Sequence, residues 1–239
     1  MDVAAFPLTD GHHVVATACS DAYIRIWLFD EETSTLSLKA TSGFHAHCVL
    51  KVRALLVPAL GSIDATYYLF SGGTDGGCAD TVVDLGPPLH VESVHQSGVN
   101  GMDVRVVKTT QTSHTLLLAT GGDDNAVSTA FISLDTATTQ LPTARTIATG
   151  KISSAHSSPV TGISIATPIT ILSTSVDQRL NRWALSLNEG TREVGMELEG
   201  SEMVDVADAS DMDVRVGRDG TLQVVVVGVG MEVLELRQG

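Results

Sequence analysis

Aromatic residues are scarce in this 239-residue sequence: two Trp, three Tyr and five Phe, 4% of the chain. With Val, Ile, Leu and Ala as its main apolar residues, it favours short strands over aromatic ligand cages. Basic residues are also in short supply, 14 Lys and Arg against 28 Asp and Glu, for a net charge of −14 and a pI near 4.7. That deficit excludes a nucleic-acid grip by this segment itself, because phosphate binding needs Lys and Arg. It also argues against an anionic membrane surface. Cys19, Cys48 and Cys78 are odd in number and show no C-x-x-C spacing, so they read as reduced thiols, not a disulfide framework. No apolar run reaches the length of a membrane span, and no basic-then-apolar leader opens the sequence, so a cytoplasmic protein without membrane contact is expected. Helical periodicity is missing throughout. So are the glycine signatures of nucleotide sites and the G-x-S-x-G elbow of serine hydrolases. Charged residues make up 18% and mean hydropathy is +0.19, which excludes a disordered tail.

What is present is a repeat. Residues 154–187 show it in full: His156, an alternating run through Val160, Ile163 and Ile165, a second run over 169–173, a turn at 176–178, and a third run ending in Trp183. The same spacing recurs. Asp21, Asp75, Asp124 and Asp177 stand 54, 49 and 53 residues apart, and each follows a Ser or Thr by four residues: Thr17, Ser71, Thr120 and Ser173. Trp lies six residues after Asp21 (Trp27) and after Asp177 (Trp183), and Val lies four residues after His45, His95 and His156. Apolar runs at 1–8, 14–17, 23–29, 36–41, 49–58, 67–71, 80–84, 99–107, 115–120, 127–134, 146–149 and 194–199 predict the strands of four repeats. Runs at 204–216, 222–228 and 231–236 predict three strands of a fifth. Turn clusters at 74–77 and 121–125 and the Pro87-Pro88 pair punctuate them.

Short strands joined by tight turns, with His, Ser or Thr, Asp and Trp at set places, resemble the WD-repeat unit of β-propellers. The resemblance implies an all-β WD-repeat β-propeller of four blades plus most of a fifth, with blades near 1–41, 45–95, 96–150, 154–200 and 203–239. Left open, such a set would expose strand edges, so the chain is expected to be part of a larger propeller. In that family the His, Ser or Thr, Asp and Trp form a buried hydrogen-bonded tetrad within a blade. Here the positions are His156, Ser173, Asp177 and Trp183; His95, Thr120 and Asp124; His45, Ser71 and Asp75; and Thr17, Asp21 and Trp27. Thr81 and Ala130 stand where Trp is expected, the first blade lacks its His, and the fifth has no His, Asp or Trp at these places. A set that recurs once per blade is structural and not a Ser/His/Asp catalytic triad, so no catalytic residue is assigned.

Two other clusters have bland readings. His45, His47 and Cys48 could ligate a metal, but no second Cys/His group faces them, so no metal is assigned. Residues 189–213 hold nine carboxylates and one Arg without the spacing of a calcium loop, and read as a solvated acidic edge. A narrower resemblance rests on HQSGVNG at 95–101, ATGGDD at 119–124, SVDQRL at 175–180, VADASDMDV at 206–214 and VVVVGVGMEV at 224–233. These resemble the C-terminal blades of WD-repeat regulators of tRNA wobble-position 2′-O-ribose methyltransferases. That resemblance implies a non-catalytic scaffold with no cofactor of its own. Its partner is a tRNA 2′-O-methyltransferase, and tRNA is reached through the complex. The rival reading is a general protein-interaction propeller, such as a ubiquitin-ligase substrate receptor or a trafficking scaffold.

Overall fold

The computed structural model describes residues 1–8, 11–58, 65–75, 77–82, 88–136 and 142–237. These residues are strand and turn, with no helix among them. They fall into two compact units. One is Met1–Val99 with Gln111–Ser113 and Asp135–Ala144; the other is Asn100–Thr110 with His114–Leu134 and Arg145–Gly239.

The first unit holds two four-stranded antiparallel sheets, each in sequence order. Sheet one is β1 (Val3–Pro7), β2 (His12–Ala18), β3 (Ile24–Asp30) and β4 (Thr35–Ser42); sheet two is β5 (Val49–Pro58), β6 (Ala65–Gly73), β7 (Gly77–Val82) and β8 (His90–Ser93). Alternation sets the register: Val14, Ala16 and Ala18 on β2 and Ile24 and Ile26 on β3 are buried, and their neighbours are not. The shared core joins these to Phe6, Val49, Val52 and Leu69, and the Phe6 and Tyr67 rings stack at 3.9 Å between centroids.

In the second unit, β9 (Val99–Thr109), β10 (Ser113–Gly122), β11 (Val127–Asp135) and β12 (Thr143–Ile152) precede β13 (Val160–Thr167), β14 (Thr170–Ser175), β15 (Arg179–Asn188) and β16 (Glu193–Met203). These two groups of four join through one parallel bridge, Thr149 to Glu193. The middle strand β14 is buried along its whole length, and the outer strand β16 keeps mainly Val194 inside. A second core joins Ala166, Leu172 and Leu180 to Met212, Val214, Leu222, Val224 and Val226 on β17 (Ala207–Val216) and β18 (Leu222–Leu236).

Several boundaries differ from the sequence reading. The third strand of sheet two begins at Gly77, three residues before the expected Asp80; Gly76, Val83, Asp84 and Pro87 lie outside the described residues. β8 was not anticipated, because its alternation spans only four residues. The outer strand expected at 146–149 runs from Thr143 to Ile152, and β17 starts at Ala207, not 204. The two expected strands at 222–228 and 231–236 both fall within the range of β18. It nevertheless doubles back: Gln223 Nε2 donates to Glu235 Oε1 at 3.2 Å, whereas twelve extended residues would span about 40 Å. Gly230, at φ 114°, lies in the bend, where a side chain would be strained.

Candidate functional site

The blade of β13–β16 assembles its four polar residues from four separate places. His156 lies on the loop before β13, Ser173 on β14, Asp177 in the turn that follows, and Trp183 on β15. His156 Nε2 is 2.8 Å from Ser173 Oγ, and Trp183 Nε1 donates to the same oxygen at 2.8 Å. His156 Nδ1 is 3.1 Å from both oxygens of Asp177. The donors and acceptors run one way: Trp183 N–H to Ser173, Ser173 O–H to His156 Nε2, His156 Nδ1–H to Asp177. That direction requires a neutral imidazole. Burial holds His156 below the ordinary histidine range, outweighing the Asp177 charge that pulls it upward. Burial works the other way on Asp177, but the Ser157 amide, His156 and the Arg179 amide together keep its carboxyl below the usual range. Ser157 N–H and Arg179 N–H donate to it at 2.9 and 3.0 Å.

The Ser–His–Asp connectivity is that of a hydrolase triad, but its chemistry is closed off. Ser173 is fully buried, and its oxygen is already occupied by His156 and Trp183. A nucleophile needs room for a reacting atom about 3 Å away. What the arrangement does instead is tie a loop, a turn and two strands together with buried bonds.

The other predicted sets are partial. In the second sheet His45 Nε2 meets Ser71 Oγ at 2.8 Å, and His45 Nδ1 lies 3.3 Å from Asp75 Oδ2. Thr81 occupies the Trp place on β7. Gly73 makes room for this set, since a Cβ there would stand 2.7 Å from His45 Nδ1 and 2.8 Å from Asp75 Oδ1. In the first sheet Trp27 Nε1 donates to Thr17 Oγ1 at 3.1 Å. Asp21 is not in that chain: it is half exposed and paired with Arg25, 2.5 Å away. With no His at the tetrad place of this blade, Cys19 and Arg25 fill the gap; the thiol lies 3.7 Å from Thr17 Oγ1. The Asp21 carboxylate, and Cys19 after it, raise the Arg25 guanidinium further. His95 and Thr120 are buried in separate units, and Asp124 pairs with Lys151 at 3.0 Å and caps Ala126 N–H at 3.3 Å.

Two supporting residues were not found by sequence reasoning. Asn181 Nδ2 donates to Ala155 O at 3.0 Å and lies 3.4 Å from His156 Nε2; nothing in its spacing marks it. Arg25 carried a weak signal, standing four residues after Asp21. The His45, His47 and Cys48 group is dispersed: His45 turns inward to Ser71, His47 is exposed, and Cys48 Sγ reaches Ser20 O at 3.1 Å. Among the described residues no three His, Cys, Asp or Glu side chains are placed to hold a metal ion. No helix among them is long and apolar enough to cross a membrane.

No protein-family model matches the chain. Among curated proteins it is 28% identical over 229 residues to the tRNA (34-2'-O)-methyltransferase regulator WDR6 of Bos taurus, and 30% identical over 225 residues to that of Mus musculus. Each match covers 84% of this chain and 19% of the relative, so the chain spans about a fifth of the length of the curated relatives it matches. Among solved structures, a chain of the mitotic checkpoint complex aligns with 96% of it at 15% identity and a TM-score of 0.49, over 62% of that chain. With His156, Ser173, Asp177 and Trp183 joined inside a four-stranded unit and this sequence likeness, the chain has blades of the WD-repeat β-propeller type and resembles the tRNA (34-2'-O)-methyltransferase regulators.

Proposed function

We propose that this chain is the C-terminal part of a non-catalytic regulator of tRNA 2′-O-ribose methylation at the wobble position, working in the cytoplasm. The observation that carries the reading is the likeness to curated regulators of that name across 84% of the chain. The mechanism is positioning. A rigid set of blades holds a 2′-O-methyltransferase and its substrate in one geometry and lowers the entropic cost of their encounter. The net charge of −14 supports contact with protein more than with RNA in this segment. Cofactor chemistry belongs to the partner, and tRNA is reached through the complex.

The test is a tagged pull-down of the full-length protein, read by mass spectrometry and RNA sequencing. A 2′-O-methyltransferase with tRNA is the expected recovery, together with loss of wobble 2′-O-methylation when the gene is deleted. Recovery of cullin adaptors or coat proteins with unchanged methylation would sink the reading and leave a general interaction propeller.

A further inference from the structure

The place four residues after the repeat aspartate differs from blade to blade. It holds Arg25, Ala79, Ser128 and Asn181 after Asp21, Asp75, Asp124 and Asp177. Strand register sets it beside the tetrad hydroxyl: Thr17 pairs with Arg25, Ser71 with Ala79 and Ser173 with Asn181. Asn181 reaches the tetrad histidine of its own blade. Its Nδ2 lies 3.4 Å from His156 Nε2 while donating to Ala155 O at 3.0 Å. Its Oδ1 is buried and has no hydrogen-bond partner among the described residues, and the residue is 6% exposed. A buried orphan of this kind calls for an explanation. Turning the amide over does not supply one while the ring is neutral. Oδ1 would then stand against the Ala155 oxygen and face the lone pair of Nε2.

The Ala155 carbonyl belongs to a junction. Ala155 N–H and His156 N–H both donate to Asn125 O, at 3.1 and 3.3 Å, which fastens the loop before β13 to the turn before β11. Asn181 holds the same loop from β15. With His156 neutral, Nε2 offers a lone pair to the Ser173 O–H, and the Asn181 donors sit beside it. Protonation places an N–H there instead. The new hydrogen faces the Asn181 donors, and the unpaired Oδ1 is half a turn of the amide away. The charged neighbour of the ring is Asp177, at Nδ1. β14 and β15 present the neutral Ser173, Trp183 and Asn181, and on the blade-three side Asn125 follows Asp124, which is paired with Lys151 at 3.0 Å.

We propose that Asn181 is a pH-responsive latch on the loop between β12 and β13. While His156 is neutral, Asn181 Nδ2 holds Ala155 O. When His156 takes up a proton, the amide turns over, Oδ1 accepts the Nε2 proton, and Ala155 O loses its donor. The loop then parts more readily from the Asn125 carbonyl. The oxygen left unpaired in the neutral state is thus the acceptor that the charged ring uses. Burial holds His156 below the ordinary histidine range, so the latch stays closed at neutral pH and opens in acid. Alanine, the residue at 79, has neither a donor nor an acceptor to offer, so the device belongs to blade four.

The test follows the full-length protein from pH 7.5 to 5. Exchange at the imidazole C2–H gives the titration of His156. Amide exchange, corrected for its intrinsic pH dependence, gives the protection of Ala155 and His156. That protection is expected to fall about tenfold, with the same midpoint as the His156 titration. Asn181→Leu, similar in size and without donor or acceptor, should exchange at the faster level throughout the range. Asn181→Ser, which gives β15 the residue that β11 carries at 128, should do the same and serves if the leucine variant does not fold. Native protection that stays constant, or falls with a midpoint other than that of His156, would overturn the proposal. So would a fall of equal size in either variant, which would trace the acid response to Ser173 and Asp177 instead. If neither variant folds, the native series decides alone.

Discussion

At Ser173 two buried groups depend on one oxygen, the Trp183 N–H and the neutral His156 ring. Ser173→Ala orphans both, and each buried orphan costs about 1–3 kcal/mol, so a loss of about 2–6 kcal/mol is expected in urea unfolding. Ser71 has only His45 as its side-chain partner among the described residues, so Ser71→Ala should cost about 1–2 kcal/mol. Equal losses would contradict the role given to Trp183. The same set makes stability depend on pH. An unfolded histidine takes up its proton near 6.5, while burial pushes the folded His156 lower. Between those two values the unfolded chain binds more protons, so stability is full above about 6.5 and is lost as pH falls toward the folded pKa. Asp177, also lowered, adds a second loss as pH drops through 3.8 and below. Thermal melts from pH 7.5 to 5 should fall more steeply for the native protein than for His156→Gln, and parallel curves would remove His156 from this account. Ala22 offers a gain. It sits at φ 72°, where a Cβ costs about 1 kcal/mol, so Ala22→Gly should raise Tm slightly.

The turns show why some elements could be read from the sequence and others could not. Ala22, Asn125 and Gln178 each follow a repeat aspartate, and all three adopt positive φ, at 72°, 61° and 60°. Each preceding aspartate caps the amide two residues on: Tyr23, Ala126 and Arg179. The aspartates were legible because a turn that caps itself needs a short carboxylate at a fixed place. Ala22 was not, because alanine has no local reason to enter the left-handed region; the sheet register imposes it. β2, β3 and β15 were visible through alternation against a buried face, and β8 was too short to show any. The doubling back of β18 depended on Gly230 and on a bond between residues twelve apart, which no local pattern encodes. In the site, repeat spacing exposed His156, Ser173, Asp177 and Trp183. Asn181 stayed hidden because it acts once and not per repeat. Gly73 is the element-scale test. At 2.7 Å from His45 Nδ1, an added methyl must displace the ring or the β6 end, so Gly73→Ala should cost about 2–3 kcal/mol in urea unfolding. Gly190 has only one close neighbour, a side-chain oxygen at 3.3 Å, and Gly190→Ala should change stability by less than about 0.5 kcal/mol. If both variants unfolded alike, steric crowding at the His45 set would not explain the glycine.

At the scale of the molecule the charge decides what can approach. With 28 acidic and 14 basic side chains, 28 − 14 leaves fourteen unbalanced carboxylates. Many lie on outer surfaces: Glu193, Glu197, Glu199 and Glu202 on β16 are largely exposed, and among the described residues only Glu199 of these has a close cation, Arg182 at 3.3 Å. A polyanion brought to such a surface meets a field of its own sign and has few cations with which to exchange its counterions. A basic protein surface meets the opposite field and gains in association rate at low salt. The two partners therefore separate by location. In ultraviolet crosslinking of the full-length protein in its complex with tRNA, nucleotide adducts should fall outside residues 189–213, and lysine–carboxylate crosslinks to the protein partner should reach this stretch. The protein crosslinks should be read at two ionic strengths, since contacts to this acidic stretch ought to weaken as screening shortens the Debye length from about 10 Å at 0.1 M. Nucleotide adducts concentrated on 189–213 would show that local shape outweighs the field, and the division of labour between protein and RNA proposed for this segment would be wrong.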